Sequence, residues 1–276
     1  MVCFLLLSLT DMAQTALSRC DVGVSVGAMN YVGDLNGQRI DGRLNVAAGL
    51  VGRYNLDDRW AVSLGVNYGR LEGGNPDVIR TRNLSFRSHL LEGALRIEFN
   101  FVPFGTSPYV YRTTPYLFVG MGIFHFNPKA HYTDPVDGSS RWVELQPLHT
   151  EGQGSDQYPD RDPYSLLQLS IPFGFGFKMA LTSDIVLAVE YGFRMTWTDY
   201  LDDVSTTYVS EALLGPGSMA ASMADRSTEI EGGQPNPAGG QRGDDSLNDA
   251  FAYINLSVTF NMEMLFGWIR GKRCPK

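Results

Sequence analysis

The sequence predicts an all-β fold, an eight-stranded antiparallel transmembrane β-barrel with short periplasmic turns and long extracellular loops. Three observations carry this. Apolar side chains recur at every second position over stretches of ten or more residues, the positions between them are small, polar or charged, and the connections alternate short and long.

The hairpin 165–198 displays the pattern best. Leu167, Leu169, Ile171, Phe173, Phe175, Phe177 and Met179 share one side of a period-two repeat, with Gln168, Ser170, Gly174, Gly176 and Lys178 on the other. After a break at 180–184, Leu187, Val189, Tyr191, Phe193, Met195 and Trp197 alternate with Ala188, Glu190, Gly192, Arg194, Thr196 and Thr198. Each arm outruns the roughly 5–6 residues of a globular strand and suits the ~9–11 tilted residues that cross a bilayer.

The remaining strands follow in order. The first runs from Asp21 to about Tyr31, with Val22, Val24, Val26 and Ala28 against Gly23, Ser25, Gly27 and Met29. A Gly/Asn/Asp-rich loop at 32–43 leads to the second strand, 44–54, and the turn Asn55-Leu56-Asp57-Asp58-Arg59 to the third, 60–71. The fourth, 86–101, sets Leu91, Leu95, Ile97 and Phe99 against Glu92, Arg96, Glu98 and Asn100. The fifth spans 115–126, the hairpin supplies the sixth and seventh, and the eighth covers 250–262. Connections after the second, fourth and sixth strands are the shorter ones, as periplasmic turns require, and the others are extracellular loops, the longest at 127–163 and 199–249. The barrel thus occupies 21–262. Residues 225–249, rich in Gly, Pro, Gln, Asp and Glu, read as too polar to fold alone and therefore mobile.

Bulk properties agree. A net charge of −8 over 276 residues gives no basic face and argues against a nucleic-acid partner. Mean hydropathy is −0.13, and no run approaches the ~18 apolar residues of a spanning helix; in a barrel only alternate residues touch lipid. The 30 glycines suit a narrow lumen and the 12% of aromatic residues suit interfacial girdles.

Residues 1–13 read as a signal peptide cleaved after Ala13, although no basic residue precedes the apolar run; the other reading is a short buried strand. Export implies an oxidising compartment. Of the three cysteines, Cys3 falls in the signal, while Cys20 precedes the first strand and Cys274 follows the last. Because first and last strands of a closed barrel are neighbours, Cys20 and Cys274 form a candidate disulfide; the alternative is two unpaired thiols on frayed ends. The segment 263–276 reads as a basic periplasmic tail with an apolar start, either solvated beside anionic headgroups or a docking strip for an acidic partner.

An eight-stranded barrel is filled by its own side chains. By parity Glu92, Arg96, Glu98, Lys178, Glu190 and Arg194 face inward, and buried charges must pair, so an internal ion-pair network is expected, with a proton or small-solute path as the competing reading. An outer-membrane enzyme would need a nucleophile and a base at the mouth. His89, His125, His131 and His149 form no triad or metal spacing; His131 and His149, in the long loop, are the ones to test. Asp199, Asp202 and Asp203 are oxygen donors suited to Ca²⁺ but lack EF-hand spacing, so a solvated acidic loop is expected. No catalytic, cofactor or metal residues are assigned.

Four further stretches belong together: Gly27-Ala28-Met29-Asn30-Tyr31-Val32-Gly33-Asp34-Leu35-Asn36, Phe126-Asn127-Pro128-Lys129-Ala130, Trp142 through Leu148 into Thr150-Glu151-Gly152-Gln153-Gly154, and Thr198-Asp199-Tyr200-Leu201-Asp202-Asp203-Val204-Ser205-Thr206. In this order they resemble the PorG-like outer-membrane barrels of the type IX secretion system of Bacteroidetes, a family with a small OmpA-like barrel. The resemblance implies a non-enzymatic outer-membrane subunit. Its partners would be outer-membrane lipids and a periplasmic ring, made of a lipoprotein and its partner, that serves export of proteins bearing a C-terminal sorting domain. The motif residues lie at outer loops, whereas ring contact calls for the periplasmic side. Candidate contacts there are Arg270, Lys272, Arg273 and Lys276 of the tail and the turns at 55–59, 102–114 and 180–184. The alternative is a stand-alone outer-membrane barrel, structural or enzymatic through its outer loops.

Overall fold

The structure is a computed structural model that describes residues 19–36, 44–74, 82–105 and 111–269. Its strands are β1 (Cys20–Val32), β2 (Asn45–Asn55), β3 (Trp60–Gly73), β4 (Phe86–Asn100), β5 (Thr113–Thr133), β6 (Ser140–Glu144), β7 (Leu167–Ala180), β8 (Ile185–Thr196) and β9 (Ala250–Asn261). The sheet runs β4-β3-β2-β1-β9-β8-β7-β5-β6, and pairing of β4 with β5 closes eight of these strands into an antiparallel barrel. Helices α1 (Glu211–Leu214), α2 (Met219–Ala224) and α3 (Met262–Ile269) are not part of the barrel wall.

The alternating pattern determines which way each side chain points. Val24, Leu64, Leu95, Met121 and Phe175 are 56%, 57%, 56%, 68% and 59% exposed on the outer wall. Between them, Glu92, Glu98, Lys178 and Arg194 are buried inside. Such a wall is unfavourable in water and favourable in hydrocarbon, so the barrel is a transmembrane one of the outer membrane. Among the described residues no helix is long and apolar enough to cross a membrane. Trp60, Phe99 and Phe101 cluster at the short-turn end, with ring centroids 4.8 and 5.6 Å apart, as an interfacial girdle does.

Closure depends on the β1–β9 seam, which pairs from Asp21↔Asn261 to Val32↔Ala250. The two strands lie so close that a Cβ on Gly27 would sit 1.9 Å from the Ile254 carbonyl oxygen. Only glycine fits there.

Two expectations need correction. The segment 127–163 is not a plain loop. The alternation of Phe124 and Phe126 continues through Pro128, Ala130 and Tyr132, so β5 projects past the barrel and pairs with β6 from Lys129↔Glu144 to Thr133↔Ser140. Proline accepts the extended φ and gives up only its donor, which is tolerable at the edge of the barrel. Residues 225–249, though largely exposed, follow a defined path tied to the rest of the lid by hydrogen bonds. The Tyr208 and Arg242 N–H groups donate to the Gly240 and Thr206 carbonyls at 2.8 and 2.9 Å, and Asp225 accepts from the Ser227 and Asn236 backbones at 3.0 and 2.6 Å. Polar composition hid a segment held by backbone and carboxylate bonds rather than by an apolar face. The apolar start of the tail is the helix α3, whose Glu263 N–H donates to Asn261 Oδ1 at 3.0 Å. The signal segment 1–13, the basic residues Arg270, Lys272, Arg273 and Lys276, and Cys274 lie outside the described residues.

Candidate functional site: a filled lumen and a sealed mouth

The lumen has two layers. Toward the short turns it is ionic: Glu98 accepts from Arg53 Nε at 2.9 Å and Lys178 Nζ at 2.6 Å, with Arg96 3.6 Å away. Arg96 also binds Glu190, which accepts the Tyr116 hydroxyl at 2.8 Å. Above them Glu92 takes Arg194 at 3.3 Å and Asn67 at 2.9 Å. The charged residues that alternation assigns to the interior all sit there. Arg53 joins them unannounced; its signal was its place on the inward parity of β2 with Ala47 and Val51. A cavity of about 20 Å³ beside Arg53, Arg96 and Glu190 has room for a single water.

Toward the long loops the lumen is apolar. Met29, Tyr31, Phe86, Leu90, Phe124, Phe126, Phe251 and Tyr253 point inward and meet Leu201 and Val204 from the loop above. Tyr164 stacks on Tyr200 with centroids 4.8 Å apart. This plug blocks the axis of the barrel.

Over the plug lies a lid of hydrogen bonds assembled from four distant stretches. Glu151 accepts the Ser205 and Thr206 N–H groups, each at 3.0 Å, and the Thr206 hydroxyl at 2.6 Å. Arg242, fully buried, donates to Glu151 Oε1 at 2.8 Å and to the Ala224 carbonyl at 3.0 Å. Its Nη2 lies 3.6 Å from Asp203, which accepts the Thr150 and Tyr164 hydroxyls at 2.6 and 2.7 Å. Asp202 and Asp249 both contact the Tyr31 hydroxyl. The resemblance motifs therefore converge: Tyr31, Glu151, Asp202, Asp203 and Thr206 come from three of them. Arg242 had no signal beyond being one of two cations, with Arg226, in the acidic stretch 225–249.

The expectation of a solvated acidic loop at 199–203 is thus overturned. Asp202 and Asp203 are 1% and 0% exposed, because the loop folds down onto the plug instead of out into water. Burial pushes the Asp203 carboxyl up to about 6 against the pull of Arg242, and pushes Asp199 and Asp202 up to about 8. Asp249 is raised well above the ordinary range by burial and then by Asp202 and Asp199. Among the described residues no group of three His, Cys, Asp or Glu side chains could hold a metal ion.

His131 and His149 are not brought together. His131 sits on the projecting hairpin with its ring edge-on to Trp142, centroids 5.5 Å apart. His149 ends a 3₁₀ turn at φ 51°. Cys20 opens β1, half-buried and opposite Tyr54.

At the other end the turns form a bowl of about 380 Å³ lined by Arg19, Asp21, Asn55, Asp57, Asp58, Asp184 and Asn261. Asp57 accepts the Arg59 and Trp60 N–H groups at 2.7 Å each, which fixes the β2–β3 turn. Four carboxylates against one guanidinium make the lining of this bowl acidic.

A family model described as a domain of unknown function, DUF6089, matches residues 1–141, just over half of the chain. No curated protein matches the chain. Among solved structures, Neisserial surface protein A is 9% identical, with 88% of this chain and 97% of that chain covered and a TM-score of 0.41. The attachment invasion locus protein Ail of Yersinia pestis, in a complex with sucrose octasulfate, is 11% identical over 88% and 98%, TM-score 0.38. The outer membrane protein OprG from Pseudomonas aeruginosa is 12% identical over 88% and 97%, TM-score 0.38.

Proposed function

The chain belongs to the DUF6089 family, and we propose that it is a non-enzymatic barrel subunit of the type IX protein secretion machinery, held in the outer membrane and contacting the periplasmic ring lipoprotein and its partner. The observation that carries this reading is the use to which the motif residues are put. Tyr31, Glu151, Asp202 and Asp203 are buried in closing the outer mouth, and the lumen beneath is filled, which suits a scaffold better than a channel. On the periplasmic side, where a ring would make contact, the short turns present the acidic bowl of Asp21, Asp57, Asp58 and Asp184. That bowl fits a basic surface on the ring, whereas the tail residues Arg270, Lys272, Arg273 and Lys276 fit an acidic one.

The test is gentle detergent extraction of the tagged protein from its native outer membrane and identification of what accompanies it. Recovery with a periplasmic ring lipoprotein supports the proposal. Recovery as a lone barrel overturns it in favour of a stand-alone barrel. If the ring is recovered, Asp57→Asn/Asp58→Asn/Asp184→Asn and a variant neutralising the four tail cations separate the two candidate contacts.

A further inference from the structure

Tyr31 has one hydroxyl proton and two carboxylates facing it. Its Oη lies 2.6 Å from Asp202 Oδ2 and 2.8 Å from Asp249 Oδ1, and Tyr31, Asp202 and Asp249 are 0%, 1% and 1% exposed. The remaining oxygen of each acid is committed: Asp202 Oδ1 accepts the Val204 N–H and Asp249 Oδ2 the Leu201 N–H, both at 2.9 Å. A phenol donates a single hydrogen bond and accepts others. If both acids were ionised, one short contact would set two lone-pair-bearing oxygens against each other with no proton between them. The geometry is satisfied when one acid is protonated and donates to Tyr31 Oη while Tyr31 donates to the other.

We infer that the lid binds one proton at Tyr31, Asp202 and Asp249 and uses it as a latch that keeps the outer mouth closed in acidic to neutral medium and releases it in alkaline medium. The latch joins three parts of the chain: the top of β1, the loop after β8 and the residue before β9. Losing the proton places a second buried anion beside the first. The surroundings are mostly negative. Asp34 faces the site from the turn after β1 and Asp199 from the loop itself. Arg242, the cation that acts on Asp202, is engaged by Glu151 and Asp203. Gly33 closes the remaining side, where a Cβ would fall 1.8 Å from Asp249 Oδ1 and 2.1 Å from Tyr31 Oη. Burial and the neighbouring acids raise Asp202 and Asp249 together, in the direction the shared proton requires.

Infrared spectroscopy of the full chain in detergent tests this directly, since a protonated carboxyl has its own carbonyl stretch. The wild type is expected to show that band at about pH 7 and to lose it on titration to about pH 10, while Asp249→Asn, whose amide can donate to Tyr31 in place of the proton, shows a weaker band that retains the share of Asp199. In parallel, protease cleavage within 199–249 should rise about ten- to hundredfold over that range in the wild type and rise clearly less in Asp249→Asn, where Asp199 still titrates. A wild type without the band at neutral pH overturns the proposal, as does a band or cleavage profile unchanged by the substitution. Should Asp249→Asn not fold, Asp202→Asn takes its place, and the wild-type titration still decides.

Discussion

Substituting Arg242→Met should open the lid without unfolding the barrel. Methionine nearly fills the space, so the main loss is electrostatic: Glu151 and Asp203 remain buried while the cation that bridges them disappears. Breaking a buried pair from one side costs about 3–5 kcal/mol. Glu151 keeps the Ser205 and Thr206 donors, which places the expected loss near the lower end, about 3 kcal/mol. At 1.4 kcal/mol per factor of ten, the open lid becomes roughly a hundred times more populated. Limited proteolysis reads that population when closing is faster than cleavage, so cutting within 199–249 should accelerate by about that factor while the barrel keeps its folded, heat-sensitive mobility on SDS gels. Adding Glu151→Gln should restore part of the protection, because the double variant removes the charge that the single one orphans. Cleavage within about threefold of wild type in Arg242→Met, a difference of under 1 kcal/mol, would refute the claim that this guanidinium holds the lid.

The ionic layer of the lumen sets Arg53, Arg96 and Lys178 against Glu98 and Glu190, so its members are unequal. Glu98→Gln leaves three cations facing one carboxylate and should cost about 3–5 kcal/mol, whereas Lys178→Met leaves two against two and should cost about 1–2 kcal/mol; urea unfolding in bilayers compares them, and equal losses would contradict the count. At the seam, Gly27→Val places a side chain where a Cβ alone falls 1.9 Å from the Ile254 carbonyl oxygen, and should abolish the folded gel mobility. Lid stability should also depend on pH. The raised acids bind more protons folded than unfolded, so protection is greatest in mild acid, falls as pH rises from the ordinary aspartate value of 3.8 through about 6 for Asp203 and about 8 for Asp199 and Asp202, and levels off above; hydrogen exchange at 199–206, corrected for intrinsic rates, measures it.

What the sequence disclosed follows from the physics of each part. The wall is a period-two object, so Leu91, Leu95 and Ile97 point to lipid and Glu92, Arg96 and Glu98 to the lumen as alternation requires. The short–long rhythm of connections likewise gives the strand count and direction. The lid has no period. Its partners, such as Arg242 with Glu151 and Tyr31 with Asp249, are 91 and 218 residues apart, and nothing local marks an aspartate that will be buried. The motifs named the right segments, yet only the fold shows that they meet, and shows Asp202 and Asp203 beneath the surface rather than on it.

The overlong β5 has a consequence for how the protein looks from outside. Its 21 residues climb roughly 3.3 Å each, about 70 Å of strand, or some 50 Å of height at a tilt of about 40–45°. The hydrocarbon layer takes up only about 25–30 Å of that. Roughly 20 Å of that height therefore lies outside the hydrocarbon layer, and the outer end of the strand is stiffened by β6 and braced by the Arg87 guanidinium 3.7 Å over the Trp142 ring. The turn that joins β5 to β6 is thereby held out in water on a two-stranded arm, where Val136 is 93% exposed.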